Sequence, residues 1–367
     1  MLMRKKVMMV IPTLGGGGAE RIVTDLVRFL PQNRWDIQVV SLYGRNFGNE
    51  YFISQIEKTE HAKVVFLEKQ NGFDFSLIKK LRKIIKGYQP DVIHTHLYAG
   101  VYMIVASLFL DKRILHTVHN IAEQELPRVH RKIMKLSYQS HKLTPVAISK
   151  TVLESICKMY RLKEKDIKLI YNGIDRGQFI KGEIEETIYD FIVIGRLAPQ
   201  KNPMLVLKAF SKTLELFPDA KLCICGDGQL RQTLLDLIGE YGLEKNVELT
   251  GYVTNVSDYL KKSAYFVFAS DFEGFGLAMI EAMAAGLPVI ASKTDVAVEL
   301  MTEGNEGYFC LINDVESLSG VMKRCLSVKG SVIYNRLCKN AAKRALQFDI
   351  KNMVAAYEEL YGELANG

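Results

Sequence analysis

Short apolar runs alternate along this chain with longer segments in which apolar residues return every three or four positions. The first run, residues 7–11 (VMMVI), stops before four consecutive glycines at 15–18. It is followed by residues 19–30, whose Ile22, Val23, Leu26, Val27 and Leu30 share one helical face. Strand, loop and helix are predicted in that order. Further strands are predicted at 37–42, 63–67, 92–94, 114–118 and 144–147, with a helix at 76–86 among the helical segments between them. The second half restarts the pattern, with strands at 191–194, 221–225, 247–250, 265–268 and 288–291 and helices at 203–217, 229–241, 256–263 and 277–285. Such alternation predicts, in each half, a parallel sheet covered on both faces by helices.

Residues 178–189 (QFIKGEIEETIY) are polar and lack an apolar period, so they are read as a linker between domains at 1–178 and 185–349. Residues 351–365 are amphipathic, with Met353, Val354, Tyr357, Leu360, Tyr361 and Leu364 on one face. By pattern alone that helix reads as a cap on the second domain. The fold class is α/β, with two doubly wound domains facing each other across a cleft and ligands at the carboxyl ends of the strands.

Composition narrows the class. The 367 residues are 48% hydrophobic and 24% charged, an ordinary globular balance, and the longest apolar run, 101–110, is roughly half of what a bilayer-spanning helix needs. The basic start MLMRKK and the apolar stretch after it resemble a leader, but the glycine cluster and the lack of a small-residue cleavage pattern favour a first buried strand. The six cysteines, at 157, 223, 225, 310, 325 and 338, show no C-x-x-C spacing and read as packing residues. A cytoplasmic location follows as the expectation. The net charge of +7 is unevenly held: residues 1–180 carry 29 basic against 16 acidic residues (+13), and residues 181–367 carry 19 against 25 (−6). Only the first half is charged to face an anionic partner.

The run EGFGLAMIE places Glu273 in a loop, Gly274, Phe275 and Gly276 before a helix start at Leu277, and Glu281 about one turn into that helix. Backbone N–H groups near Gly276 and Leu277 suit a phosphate, and the glycines permit close approach. A carboxylate at 281 suits a ribose diol, and Glu273 the other end of the same ligand. In VIGRLAPQKNP, Arg196 and Lys201 follow the second domain's first strand and form a guanidinium–ammonium pair fit for a pyrophosphate and its developing charge. IPTLGGGGAER repeats the strand–glycine–helix theme in the first domain but is neither a Walker A motif nor G-x-G-x-x-G. His94, His96, His116 and His119 fall within DVIHTH and LHTVHN. No acidic or thiol ligand accompanies them, so no metal is assigned; His119, at a strand end, is read as a substrate contact, and the others as packing.

With GGGGAE, DVIHTH, HTVHN, VAISK, IYNGID, GRLAPQKNP, ICGDGQLR, LTGY and EGFGLAMIEAMAAGLPVIAS in this order, the whole chain resembles the retaining GT-B glycosyltransferases of family 4, the glycosyltransferase group 1 family. The resemblance implies two Rossmann-like domains, an acceptor-binding first and a nucleotide-sugar-binding second, with the C-terminal helix (350–367) returning to the first. It implies that Glu281 holds the donor ribose, Glu273 contacts the donor sugar and Arg196 with Lys201 grips the diphosphate. Gly16 and Gly17 would approach phosphate and sugar, His119 would contact the sugar near the reacting centre, and the base would sit near Tyr252 and Val253. Transfer with retention, without metal or cofactor and from a nucleotide sugar, by family frequency a UDP-sugar, is implied in turn. No nucleic-acid motif accompanies the basic half. Arg128, Arg131, Lys132, Lys135 and Lys142 lie with Val129, Ile133, Met134 and Leu136 in a basic helix suited to an anionic membrane. The expectation is a peripheral enzyme on the inner face of the cell membrane, glycosylating a lipid-linked or saccharide acceptor. Rival readings are a sugar-nucleotide epimerase of the same fold and a catalytically idle homologue that recruits a partner glycosyltransferase.

Overall fold

A computed structural model describes residues 4–179 and 186–366, and the chain divides into two compact units, Met1–Gly173 with Ile350–Gly367, and Ile174–Asp349. Half of the segment read as a linker, residues 180–185 of 178–189, lies outside the described residues.

The first unit is built on seven parallel strands: β1 (Lys5–Ile11), β2 (Trp35–Ser41), β3 (Ala62–Phe66), β4 (Val92–His96), β5 (Arg113–Val118), β6 (Leu143–Ala147) and β7 (Lys168–Leu169), in the order β3-β2-β1-β4-β5-β6-β7. Val7 through Ile11 of β1 are completely buried, as a strand covered on both faces requires. The helix Gly18–Phe29 packs Ile22, Val23, Leu26 and Val27 inward. The C-terminal helix, Ile350–Asn366, belongs to this unit, burying Met353, Val354, Tyr357, Leu360 and Tyr361. Its aromatic side chains reach the sheet: Tyr361 meets Trp35 edge-on at 5.7 Å, and the Tyr357 hydroxyl lies 2.8 Å from Thr117 Oγ1.

The second unit has six parallel strands: β8 (Tyr189–Ile194), β9 (Leu222–Cys225), β10 (Val247–Gly251), β11 (Ser263–Phe268), β12 (Val289–Ser292) and β13 (Gly307–Cys310), in the order β10-β9-β8-β11-β12-β13. Phe191, Leu222, Ile224, Tyr265 and Val267 form its core with Leu205, Val206 and Phe210. Chain order reverses between β8 and β11, the switch point where the loops at the carboxyl ends diverge.

Several elements escaped the periodic reading. The helix Ala99–Ala106 is apolar on every side and so has no polar face to reveal it. β7 is two residues long, too short for a period, and β13 opens on a glycine directly after the polar stretch TEGNE. The helices Val315–Val328 and Val332–Ala345 complete the second unit beyond the last predicted strand. β4 runs on to His96, two residues past its expected end, which puts three of the four clustered histidines on strands.

Candidate functional site

The second unit gathers its motifs at the carboxyl edge of its sheet. The loop after β8 carries Gly195, an exposed Arg196 and then a single 3-10 turn, Pro199–Lys201. The loop after β11 carries Asp271 to Gly276 and enters the helix Leu277–Ala284. These two loops are stitched together. Asp271 N–H donates to the Gln200 carbonyl at 2.9 Å, Gln200 Nε2 donates to the Phe272 carbonyl at 2.8 Å, and Asn202 Nδ2 donates to Asp271 Oδ1 at 3.2 Å. On that frame Lys201 Nζ forms an ion pair with Glu273 Oε1.

The β8 loop is held from its other side by glycines. A Cβ on Gly226 would stand 1.9 Å from the Gly195 carbonyl oxygen, and one on Gly228 2.6 Å from that of Leu197. The CGDG turn after β9 therefore lies directly on the Arg196 loop, with Leu197 N–H donating to the Asp227 carbonyl at 2.9 Å. Gly276 caps the helix Leu277–Ala284 at φ 88°, a left-handed conformation that favours glycine. The first-turn N–H groups behind it sit at the positive end of the helix. Glu281, the fifth residue of that helix, is 3% exposed, so it is no solvated face. Phe275 is buried against Phe348, ring centroids 5.6 Å apart.

Tyr252, half exposed, and Val253 follow β10. Three strand spacings, roughly 14 Å, separate the ends of β10 and β11, so Tyr252 and Glu273 stand at two ends of an extended stretch. Beside Gly251, at the Tyr252 end, the structure adds Arg231, to which the motifs alone assign no role. Its guanidinium lies 3.4 Å from where a Cβ on Gly251 would be, with Nη1 buried and without a hydrogen-bond partner. Its place in GDGQLR was visible in the sequence; its inward aim was not.

Gly16, Gly17 and His119 belong to the first unit, at the carboxyl edge of its own sheet. Gly17 is the N-cap of the helix Gly18–Phe29, and a Cβ there would sit 2.6 Å from Glu20 Oε2, so the glycine makes room for a carboxylate folded back onto its loop. His119 follows β5. Its Nε2 lies 2.8 Å from His96 Nδ1, and its backbone N–H donates to Glu125 Oε1 at 3.2 Å. Burial pushes His116 and His119 down to about 3 and holds His94 and His96 well below the ordinary imidazole range, so all four are neutral. Burial raises Glu125 to about 8 despite the backbone N–H groups of His119 and Asn120. Among the described residues no group of three or more His, Cys, Asp or Glu side chains is placed to hold a metal ion.

Comparison with known proteins follows the same division. The profile of the glycosyltransferase family 4 matches residues 16–178, and that of the glycosyl transferases group 1 matches residues 176–345. An Escherichia coli protein named UDP-Gal:alpha-D-GlcNAc-diphosphoundecaprenol alpha-1,3-galactosyltransferase is 31% identical over 314 residues, 78% of this chain and 79% of its own length. A Campylobacter jejuni N-acetylgalactosamine-N,N'-diacetylbacillosaminyl-diphospho-undecaprenol 4-alpha-N-acetylgalactosaminyltransferase is 26% identical over 360 residues, 92% of this chain and 94% of its own. Among solved structures, Anabaena HepE in complex with UDP and glucose superposes with a TM-score of 0.83 at 19% identity, covering 98% of this chain and all of that one. At that identity the likeness speaks for the GT-B fold alone.

Proposed function

Since the chain belongs to the group 1 glycosyl transferases, family 4, we propose that this glycosyltransferase moves a sugar, with retention and without a metal, from a UDP-sugar to a hydroxyl of a lipid-linked or saccharide acceptor. The observation that carries the donor half is the pairing of Lys201 with Glu273 on two stitched loops at the β8–β11 switch point. A cation and a carboxylate held together there can separate onto the two ends of one ligand, the ammonium onto a diphosphate and the carboxylate onto sugar hydroxyls.

In this reading the first-turn N–H groups at Leu277 and Ala278 and the exposed guanidinium of Arg196 complete the anion site, and the buried carboxylate of Glu281 accepts from the ribose diol. The base lies toward Tyr252 and Val253. The acceptor oxygen forms a bond to the anomeric carbon as the bond from that carbon to the diphosphate oxygen breaks. The acceptor's proton passes to the departing phosphate on the same face. Arg196 and Lys201 lower the barrier by meeting the charge that grows on the leaving group. His119 meets the sugar near the reacting carbon, and Gly16 with Gly17 lets backbone approach it.

The acceptor half is supported by the names of the Escherichia coli and Campylobacter jejuni relatives, both of which specify a diphosphoundecaprenol-linked acceptor. The same class of acceptor would bring this chain to the inner face of a membrane, in polysaccharide or glycolipid assembly. No helix among the described residues is long and apolar enough to cross one. The helix Arg128–Gln139 supplies a surface instead: Val129 and Leu136 are 70% and 69% exposed, beside Arg128, Lys132 and Lys135, while Met134 packs inward.

Thermal unfolding against UDP-, GDP- and ADP-sugars tests the donor assignment. A ligand at 100 times its Kd adds roughly 2.7 kcal/mol, so a UDP-sugar should raise Tm by several degrees. A larger rise with another base, or no rise with any, overturns the UDP assignment.

A further inference from the structure

Four of the first unit's seven histidines, His94, His96, His116 and His119, cluster on β4, β5 and the loop after β5; the proposed reaction uses one, and their hydrogen bonds are unequal. His94 is satisfied at both nitrogens: Nδ1 lies 2.6 Å from the Tyr361 hydroxyl and Nε2 2.7 Å from Thr117 Oγ1. The Tyr357 hydroxyl braces the same threonine. The fixed His94 ring packs on His96, with centroids 4.1 Å apart and planes at 42°. His96, wholly buried, has one polar contact, from Nδ1 to His119 Nε2 at 2.8 Å; its own Nε2 is buried without a partner.

Two neutral imidazoles joined by one hydrogen bond share one proton, and the remaining nitrogens decide which ring supplies it. If His119 donated, the proton of His96 would sit on Nε2, an N–H buried with no acceptor. If His96 donates, its Nε2 is a bare lone pair. Buried N–H groups are left wholly unpaired less often than buried acceptors, which favours the second arrangement. A charged pair is disfavoured by burial and by the neighbouring rings of His94 and His116.

We propose that His96 is a positioning residue: its Nδ1–H donates to His119 Nε2 and fixes His119 as the Nδ1–H tautomer, which offers a substrate oxygen a neutral N–H donor. The inference rests on the reading that His119 meets the sugar. It adds which atom does so, in which protonation state, and which residue imposes it. His119 then polarises a hydroxyl or phosphate oxygen without contributing a charge or taking a proton.

The chain has seven histidines, few enough for long-range 1H–15N correlation spectra of the full-length protein labelled at histidine, with His119→Ala and His96→Asn assigning the two rings. Wild type should show both His96 and His119 protonated at Nδ1 and bare at Nε2; a His119 protonated at Nε2 overturns the proposal with no variant needed. His96→Phe keeps a ring against His94 but removes the donor and should shift the His119 tautomer, whereas His96→Asn, which sets an amide N–H near the position of Nδ1, should preserve it. An unchanged His119 in His96→Phe also refutes the inference.

Release of UDP supplies the kinetic readout, using whichever of UDP-galactose, UDP-glucose and UDP-N-acetylgalactosamine raises Tm most. His96→Phe should lower turnover roughly tenfold or more at unchanged KM for that donor, and His96→Asn should recover most of it. Equal losses in both variants mean a merely structural role and sink the proposal. If His119→Ala turns over like wild type, the assignment of His119 to the sugar fails instead, while the tautomer result still stands.

Discussion

Lys201 and Glu273, 72 residues apart, form an ion pair across the loops that follow β8 and β11. Neither motif contains the other, and by sequence each has its own duty on the ligand. In the proposed reading a bound donor exchanges this pair for its own contacts. Lys201→Ala is predicted to weaken UDP binding and to lower turnover by about 10²-fold or more. Glu273→Gln should bind UDP at least as tightly as wild type, because a carboxylate competing for the ammonium is gone, yet lose transfer. Calorimetry with UDP and steady-state kinetics check both; unchanged UDP affinity in Lys201→Ala removes the lysine from the anion site.

Glu281 is too deeply buried to be a surface charge, and the proposed function has it accept from a ribose diol. Wild type should discriminate UDP from 2′-deoxy-UDP by an amount that shrinks in Glu281→Gln. The loss of one hydrogen bond to a charged group is worth about 1.5–3 kcal/mol. Equal discrimination in both proteins shows that the carboxylate does not touch the ribose.

Gly226 has no room for a side chain, since a Cβ would meet the Gly195 carbonyl oxygen at 1.9 Å. Gly226→Ala is predicted to destabilise the protein by about 1–3 kcal/mol, as overpacking does, and to weaken UDP binding by displacing the Arg196 loop. Gly320, on a helix and facing open space, is the control: Gly320→Ala should be neutral or slightly stabilising. Similar Tm losses in the two variants contradict the argument.

Stability should peak near pH 6.5. Folded His116 and His119, down at about 3, stay neutral while their unfolded counterparts gain protons below about 6.5, so stability falls with pH through that window. The slope is about 1.4 kcal/mol per pH unit for each proton of difference, and His94 and His96 act in the same direction. Glu125 acts oppositely: raised to about 8, it holds a proton in the folded chain that the unfolded chain releases above about 4.5. Its contribution is full below 4.5 and lost as pH rises through 8, which tilts the alkaline side downward. Urea unfolding from pH 5 to 8.5 measures this, and Glu125→Gln should flatten the decline above pH 6.5. A profile flat from pH 5 to 6.5 refutes the histidine part.

Val129 and Leu136 are predicted to enter lipid together with their basic neighbours. Flotation with anionic vesicles should exceed that with neutral ones, each cation near the surface contributing about 1 kcal/mol. Val129→Glu with Leu136→Glu should abolish it at unchanged UDP affinity. Equal binding to both vesicle types, or none to either, ends the membrane part of the reading.

Much of the architecture was legible beforehand because parallel strands buried on both faces leave unbroken apolar runs, such as VMMVI of β1, and their covering helices leave a periodic face. The Ala99–Ala106 helix and β7 were not legible, one because it has no polar side and the other because it is too short. Within the site, Glu273, Glu281, Arg196 and Lys201 could be named from strand-end motifs. Arg231 could not, since nothing local shows a guanidinium turned inward beside Gly251.

The sequence by itself determined the two doubly wound halves, the family and the loops that carry the candidate site. Each of these follows from local order: apolar period, glycine position, and the rule that loops after parallel strands share one edge. Only the tertiary structure decided that Lys201 meets Glu273, that Gly226 lies on Gly195, and that His96 holds His119 while His94 is held by the C-terminal tyrosines. Those contacts depend on strand order, β8 between β9 and β11 and β4 beside β5, and on the C-terminal helix packing on the first sheet. Strand order is set by how whole layers bury their surface, a property of the assembled sheet that no single segment carries.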